Sequence, residues 1–293
     1  MTANRKNNLR TVGLTVTAMI AFAANSLLCR MALGHDLIDA GSFTSIRIIS
    51  GAITLGLIIS IRGHKSKITA NWSGVVALFC YMVFFSFAYL SLSAGTGALL
   101  LFGAVQLTMF ASAIRHGERF SFLSWMCLSA AFAGLVYLVA PGVTAPDPIG
   151  ALLMATAGVA WGAYSLNGRK SGQPLLETAA NFLYSVPFTI GLSAMFIASA
   201  DMSVPGSLLA VASGALASGI GYAIWYAALP GLTAGRAATV QLSVPVVAAL
   251  GGIVLLSEQV TSRLAVASIL TIGGIWMVLA QRLRQVQRND NAN

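Results

Sequence analysis

Ten long apolar runs, separated by short polar or Pro/Gly-containing segments, make up most of this chain. Each run is close to the roughly 20 residues that an α-helix needs to cross the hydrocarbon core of a bilayer. Membrane β-strands would instead alternate apolar and polar residues over about ten positions. The pattern therefore predicts an all-α membrane protein with ten transmembrane helices. The runs cover residues 11–33, 42–61, 72–92, 96–114, 121–140, 149–167, 176–199, 207–228, 234–256 and 262–281.

The composition supports a membrane protein. Charged residues are only 9% of the chain and the mean hydropathy is +0.81, whereas soluble proteins carry about 25% charged residues. So few charges cannot cover a water-exposed surface. This excludes a soluble enzyme, a disordered chain and a nucleic-acid-binding protein, and it makes the lipid bilayer the expected partner.

The basic residues indicate the orientation of the chain. The sequence has 17 Lys and Arg against 8 Asp and Glu, and most lie between the apolar runs. With the N-terminus in the cytoplasm, all but three basic residues fall on the cytoplasmic side, where membrane proteins concentrate Lys and Arg. Both termini are therefore predicted to be cytoplasmic, with residues 1–10 as an N-terminal segment and 282–293 as a tail. The exceptions are Arg30, Arg47 and Arg263.

The chain contains an internal repeat. The run Ala21–Leu27 (AFAANSL) aligns with Ala160–Leu166 (AWGAYSL) at an offset of 139 residues, which also places Arg30 over Arg169. Residues 94–134 align with 234–274 at an offset of 140, so that Glu118 lies over Glu258. Five helices per copy reverse the direction of the second copy. The sequence therefore predicts two inverted five-helix repeats, 11–140 and 149–281, around a central cavity, with access alternating between the two sides.

These motifs resemble the two EamA-type repeats of the drug/metabolite transporter superfamily, over residues 11–282. The Trp161–Tyr164 run (WGAY) is most similar to the YddG-type bacterial exporters of aromatic amino acids. The resemblance implies a ten-helix exporter of small metabolites, such as aromatic amino acids, in the inner membrane of a bacterium. Arg47 resembles an arginine common in the first repeat, but its counterpart in the second repeat is Val186, so a paired-arginine role is not expected.

Polar and aromatic side chains within the runs are the candidate substrate-binding groups, because such groups usually face the bundle interior or a water-filled cavity. Aromatic rings suit a flat, partly apolar ligand. Tyr81 and Phe85 share one helix face, as do Trp161 and Tyr164. Packing without ligand contact is the alternative interpretation. The candidates are Asn25, Tyr81, Phe85, Gln106, Trp161, Tyr164, Tyr222, Gln241 and Ser243.

Two prolines within the runs are candidate hinges. Proline has no N–H, so Pro245 removes the helical partner of the Gln241 carbonyl, and Pro187 does the same to Leu183. At Gln241 the freed carbonyl and the side-chain amide occupy one site. Irregular backbone of this kind is tolerated in a membrane where it lines a cavity. Repair of the kink by a neighbouring helix is the alternative.

Arg47 is the one candidate for a buried charge in the sequence. It is a possible contact for the carboxylate of an amino-acid substrate, and the alternative is a structural arginine bonded to helix ends. No Asp or Glu occupies the middle of a run. Because buried carboxylates commonly relay protons in driven carriers, facilitated diffusion down a substrate gradient is the expected mechanism.

Small residues and cysteines within the runs are interpreted as packing residues. The pairs Gly158–Gly162, Ala130–Gly134 and Gly214–Ser218 allow helices to approach closely. The three cysteines lie in separate apolar runs without a CxxC pair, so neither a disulfide nor a metal site is expected. No cofactor is expected either.

Several functions other than amino-acid export stay open at this point. They are a multidrug or nucleoside exporter of the same superfamily, a membrane enzyme acting on lipid-linked substrates, and a non-catalytic interaction subunit. The sequence has no P-loop, HExxH or GxSxG motif, and the lack of buried acids weighs against an enzyme. A monomer is expected, with a homodimer as the alternative.

Overall fold

The computed structural model describes residues 2–63, 71–118, 120–168 and 172–290. Within these ranges the chain is almost entirely helical, and the only β-type pairing is an isolated antiparallel bridge between Ile38 and Met202. Several basic residues that support the predicted orientation lie outside the described residues; they are Lys65, Lys67, Arg119, Arg169 and Lys170.

The described residues form ten helices at the places of the ten apolar runs. α8 is continuous but contains a π-helical segment, Ser213–Ile220, between two α-helical ones, and α9 is broken into two segments. Short 3-10 turns follow α7 (Ile197–Ser199) and α8 (Leu229–Gly231). The helices are α1 (Thr2–Leu33), α2 (Ala40–Ile61), α3 (Trp72–Ala88), α4 (Ala94–Arg115), α5 (Phe122–Val139), α6 (Pro148–Gly168), α7 (Pro174–Met195), α8 (Val204–Ala212, Ser213–Ile220 and Gly221–Ala228), α9 (Ala234–Gln241 and Ser243–Leu256) and α10 (Ser262–Asp290).

Eight of these helices are long and apolar enough to cross a bilayer, counting only the part of the chain that the structure describes. The two others are α3 and α7. α3 is short, with 17 residues. α7 has 22 residues but contains Glu177, Asn181 and Pro187, which make it less apolar than the eight. The chain is thus a multi-pass membrane protein.

The break between α3 and α4 differs from the sequence prediction. The gap between the runs 72–92 and 96–114, with its neighbouring glycines, predicts a break near Gly95–Gly97, but the helices are separated by residues 89–93. Ser93 caps α4, its side chain accepting a hydrogen bond from the N–H of Thr96, as serine often does at a helix start. Both glycines instead permit close packing, because a Cβ at Gly95 would lie 2.9 Å from Ala249 and one at Gly97 2.5 Å from the Tyr89 ring.

The loops gather at two ends of the bundle. At one of them, which we call the closed end, hydrogen bonds join loop 34–39 to loop 196–203 and loop 89–93 to loop 140–147, while Glu258 of loop 257–261 bonds to Arg30 and Ala94. There the N–H of Asp39 donates to the Asp201 carbonyl (2.9 Å), and the Ser91 hydroxyl donates to Asp147 (3.1 Å). At the other, which we call the open end, Asn71 donates to Glu177 over 2.6 Å. The loops that the sequence places on the outer side of the membrane therefore lie together at the closed end.

The equivalent helices α5 and α10 pack against each other with reciprocal contacts. A Cβ at Gly134 would lie 3.0 Å from the Ala267 carbonyl oxygen, and one at Gly274 would lie 2.5 Å from that of Cys127. At an offset of 140, Gly274 aligns with Gly134 and Ala267 with Cys127. Each contact thus occurs twice with the roles of the two helices exchanged, so α5 and α10 run antiparallel.

Other helix pairs recur when the helices are shifted by five. α6 packs between α3 and α4, and the equivalent α1 packs between α8 and α9. Small residues provide the close approaches that the sequence predicts: Gly158 faces Ala104 of α4, Gly162 faces Thr108 of α4, and Gly214 faces the α2 backbone at Arg47. α2 and α7 also pack together, with the hydroxyls of Ser45 and Ser193 3.1 Å apart.

Candidate functional site

A small chamber lies in the middle of the bundle. Its volume of about 20 Å³ is enough for about one water molecule. Six of the nine candidate substrate-binding residues line it: Asn25, Tyr81, Phe85, Trp161, Tyr222 and Gln241. The remaining lining residues are Phe22, Ser26, Leu101, Phe102, Ala217 and Ser218.

A larger cavity, the vestibule, lies next to the chamber and has a volume of about 510 Å³. It extends to the open end, where Gly168, Pro174 and Leu232 line it. A seventh candidate, Tyr164, also lines the vestibule. Three residues line both cavities and so lie between them; they are Trp161, Tyr222 and Gln241.

Stacked aromatic rings form the wall between the chamber and the vestibule. The ring of Trp161 lies 5.5 Å from that of Tyr222 at an interplanar angle of 17°, and 5.3 Å from that of Tyr164 at 26°. On the chamber side it lies 4.9 Å from the Tyr81 ring. Offset-stacked and tilted rings at these distances attract one another. Helical spacing predicts the contact between Trp161 and Tyr164, which lie on one helix, but not the contacts of Trp161 with rings of other helices.

Asn25 connects three helices at the chamber. Its Oδ1 accepts a hydrogen bond from the Ser213 hydroxyl (2.6 Å), and its Nδ2 donates to the Tyr81 hydroxyl over 3.5 Å. Ser213 begins the π-helical segment of α8, and Ser218 of that segment lines the chamber with a buried hydroxyl that has no hydrogen-bond partner. π segments are frequent at functional sites. Sequence reasoning missed this one, because hydropathy does not distinguish a π from an α turn.

Arg47 of α2 is fully buried beside the chamber. Its Nη2 donates to the Tyr81 hydroxyl over 3.2 Å, and its guanidinium carbon lies 4.8 Å from the centre of the Phe85 ring. The Nε and Nη1 groups have no hydrogen-bond partner. The alternative of an arginine bonded to helix ends is therefore wrong for the described residues.

α9 breaks next to the proline, as the sequence predicts. Leu242 separates the two segments, and Pro245 lies in the first turn of the second, where a missing N–H is tolerated. Gln241 ends the first segment and faces both cavities. Ser243 does not: it is exposed, and its hydroxyl donates to the Val240 carbonyl over 2.7 Å. Ser243 lies two residues from Gln241, and side chains with this spacing do not face each other on a helix, so its role in substrate binding stays a prediction.

Two further candidates lie away from both cavities. Gln106 is buried in α4, where its amide nitrogen has no partner, and it lines neither cavity. Pro187 is exposed on α7, which continues as one helix from Pro174 to Met195. A hinge at Pro187 stays a prediction.

A hydroxyl cluster joins α6, α7 and α8 at the vestibule. The Thr178 hydroxyl lies 2.8 Å from that of Tyr164 and 2.9 Å from that of Tyr226. Tyr226 lines the vestibule together with Tyr164. The sequence gives no signal for Thr178, because a single threonine in an apolar run is common. The cluster fixes both tyrosine rings on the vestibule wall.

A salt bridge and several hydrogen bonds join the helices at the closed end. Glu258 pairs with Arg30 (3.3 Å) and accepts a hydrogen bond from the N–H of Ala94 (2.9 Å). Arg30 also donates to the carbonyls of Tyr89 and Leu90. These bonds link α1, α4 and the end of α9. The repeat alignment singles out Arg30 and Glu258, but it does not reveal that they meet.

The comparison with protein families decides the class. The model of the EamA-like transporter family matches the chain twice, over residues 9–140 and 148–280. The chain belongs to the EamA-like transporter family. It is therefore a membrane transporter, and family membership favours transport over a membrane enzyme or an interaction subunit.

Similar proteins match this EamA-like transporter over most of its length. An uncharacterized protein of Pseudomonas aeruginosa is 49% identical over 95% of this chain and 98% of its own. An uncharacterized transporter of Archaeoglobus fulgidus is 28% identical over 79% of this chain and 86% of its own. A crystal structure with 21% identity matches with a TM-score of 0.65 over 93% of this chain and 98% of its own; that likeness concerns the fold alone.

Proposed function

We propose that this EamA-like transporter exports small metabolites, including aromatic amino acids, across the inner membrane of a bacterium by alternating access. The observation that carries the proposal is the pair of ring-lined cavities. The larger one reaches the open end, while a salt bridge and hydrogen bonds join the helices at the closed end. A transporter of this kind opens its site to one side of the membrane at a time.

The cavity lining supports a flat, partly apolar substrate. The vestibule volume of about 510 Å³ is within the roughly 300–1,000 Å³ of small-molecule sites. An aromatic ring that enters between Trp161 and Tyr222 replaces the contact between these two rings by contacts with itself. Gln241 supplies an amide on the same wall. An aromatic amino acid has this combination of a flat ring and few polar groups.

The inverted repeat is part of the proposal. Its support is the double family match, the antiparallel packing of α5 and α10, and the recurrence of helix pairs after a shift of five. In such transporters the halves rock about the substrate site. By the positive-inside rule the open end and both termini face the cytoplasm, which makes this an inward-open conformation. One chain contains both repeats, so a monomer is sufficient.

Facilitated diffusion fits the cavity chemistry. Neither of the two cavities is lined by Asp or Glu among the described residues. Since proton-driven carriers commonly relay protons through buried carboxylates, direct coupling of this kind is not part of the proposal. Export then follows the outward gradient of a metabolite that accumulates in the cell.

The test is counterflow in liposomes that contain the purified protein. Labelled phenylalanine should enter liposomes preloaded with unlabelled phenylalanine, and the flux should saturate. Unlabelled tryptophan and tyrosine should compete, whereas nucleosides and cationic drugs should not. Stronger competition by nucleosides or drugs would support those alternative substrates, and the absence of counterflow for every compound would contradict the proposal.

A further inference from the structure

Arg47 is an unusual group for a membrane interior, because it is a buried cation without a counter-ion. Its side chain is fully buried in α2, and no acidic side chain of the described residues forms an ion pair with it. Two of its three nitrogens lack a hydrogen-bond partner. Burial of a charge without a counter-ion costs several kcal/mol of folding free energy. An anion close to the guanidinium would offset that cost.

Tyr81 connects Arg47 to the chamber. Its hydroxyl oxygen accepts hydrogen bonds from Arg47 Nη2 (3.2 Å) and from Asn25 Nδ2 (3.5 Å). Both partners are donors, so the hydroxyl hydrogen of Tyr81 is left to donate elsewhere. Tyr81 lines the chamber, and a hydroxyl that accepts a bond from a cation is a stronger donor. It can therefore donate to a group in the chamber.

The distances suit a carboxylate in this position. An oxygen that accepts a hydrogen bond of about 2.7 Å from the Tyr81 hydroxyl lies at most about 6 Å from Arg47 Nη2, because Nη2 and the hydroxyl are 3.2 Å apart. At this separation in a protein interior, opposite charges attract appreciably. Ser218 adds a second hydroxyl without a partner on the chamber wall.

We propose that Arg47 and Tyr81 form a receptor for the carboxylate of the substrate on the closed-end side of the ring stack. The inference rests on the proposed function and deepens it, because it makes the carboxylate the group by which the site selects among aromatic compounds. The carboxylate replaces the single water for which the chamber has room, while the aromatic body stays against Trp161 and Tyr222. Compounds without the carboxylate lose the charge interaction and are rejected.

The experiment compares phenylalanine with two analogues that keep the ring, phenethylamine and phenylalanine methyl ester. Each competes against counterflow of labelled phenylalanine in liposomes, and each is tested for thermal stabilisation of the detergent-purified protein. In the wild type both analogues should bind at least about tenfold more weakly than phenylalanine, as expected for a lost hydrogen bond to a charged system. In Tyr81→Phe and Arg47→Gln the difference should fall below about threefold. Tyr137→Phe is the control, because Tyr137 is partly exposed on α5, and it should keep the wild-type difference.

The outcomes separate the two proposals. If phenylalanine and its analogues compete equally in the wild type, the receptor is wrong but the transport function stands. The receptor is also wrong if Tyr81→Phe and Arg47→Gln both retain the tenfold difference. If nothing is transported but phenylalanine alone stabilises the wild type, the receptor stands and the export function fails. If neither transport nor stabilisation occurs, both fail. Competition by chloride in the wild type but not in Tyr81→Phe would identify an inorganic anion as the occupant and overturn the carboxylate assignment.

Discussion

α4 and α9 are equivalent helices of the two repeats, yet their first halves lie in different environments. The first half of α4 is at the closed end, where every residue from Ala94 to Gln106 is buried. The N–H of its first residue, Ala94, donates a hydrogen bond to Glu258, which belongs to the second repeat. The first half of α9 is at the open end, begins on the cap residue Thr233, lines the vestibule and breaks at Leu242.

The helices α4 and α9 differ in their residues and in the contacts that they make. At an offset of 140, Pro245 and Gln241 of α9 align with Val105 and Leu101 of α4, so only α9 contains the breaking residue. At the open end the first half of α9 lines the vestibule, whereas at the closed end the first half of α4 is bonded to Glu258. Equivalent helices of the two repeats therefore have different contacts at the two ends of the bundle.

The largest effect is expected at Trp161, the ring that separates the chamber from the vestibule. Trp161→Ala removes stacking on three rings and connects the two cavities, so phenylalanine flux should fall by about tenfold or more, as expected for the loss of about 1.4 kcal/mol or more of binding free energy. Counterflow in liposomes measures the change. Trp276→Ala on the exposed face of α10 is the matched control. Equal flux in the two variants at equal expression would contradict the role of Trp161.

A substitution at Glu258 should weaken the contacts at the closed end and so make the two ends of the bundle more alike. Glu258→Ala removes the acceptor for Arg30 and for the Ala94 N–H, and hydrogen bonds to a charged group contribute about 1.5–3 kcal/mol. The closed end should then open more often. The native Cys29 is fully buried next to Arg30, so its labelling measures the opening of the closed end. Cys80 and Cys127 are replaced by alanine so that Cys29 is the single cysteine.

The measurement for Glu258 is the rate at which a membrane-impermeant maleimide labels Cys29 in intact cells. We expect an increase of about tenfold in Glu258→Ala. Glu118→Ala is the control, because Glu118 is the counterpart of Glu258 and lies at the open end. An equal increase in both variants would mean that the labelling reports general destabilisation.

Two substitutions in α9 sharpen the comparison of the two helices, and one of them, Gln241→Leu, introduces the residue that α4 has at the equivalent position. Gln241→Leu removes the amide from both cavities, and flux should fall about fivefold, as for one lost hydrogen bond of about 1 kcal/mol. Pro245→Ala should change it less than about twofold, because Pro245 occupies a first-turn position that tolerates either residue. Counterflow of phenylalanine ranks the two variants. The reverse ranking would indicate that the break acts as a hinge.

The smallest effect is expected at Ser243. Ser243→Ala removes a hydroxyl that is bonded to the backbone of its own helix and exposed. Flux and the competition pattern should stay within about twofold of the wild type, as is usual for exposed positions. A larger loss would show that Ser243 enters the cavity in another conformation.

Much of the fold could be predicted from local sequence, because length and apolarity decide whether a segment can cross a bilayer. The ten helices follow from the ten runs. Helical spacing also fixes which side chains share a face of one helix, such as Tyr81 with Phe85 and Trp161 with Tyr164. That Trp161 meets Tyr81 and Tyr222 depends on how the helices pack.

The rest depends on contacts between distant parts of the chain. Gln106 is polar and buried like Asn25, but the packing of α4 turns it away from both cavities. The acceptor of the Ala94 N–H, Glu258, is contributed by the second repeat. The glycines at 95 and 97 mark close packing rather than a break, which depends on Ala249 and Tyr89. No local pattern contains such information.

Arg47 and Val186 occupy equivalent positions on the adjoining helices α2 and α7. A carrier assembled from two identical subunits would have a guanidinium at both positions, and two like charges in one region of low dielectric repel each other. In a single chain the two repeats can differ at this position, so the cation of Arg47 has the uncharged Val186 as its counterpart and the repulsion between like charges does not arise.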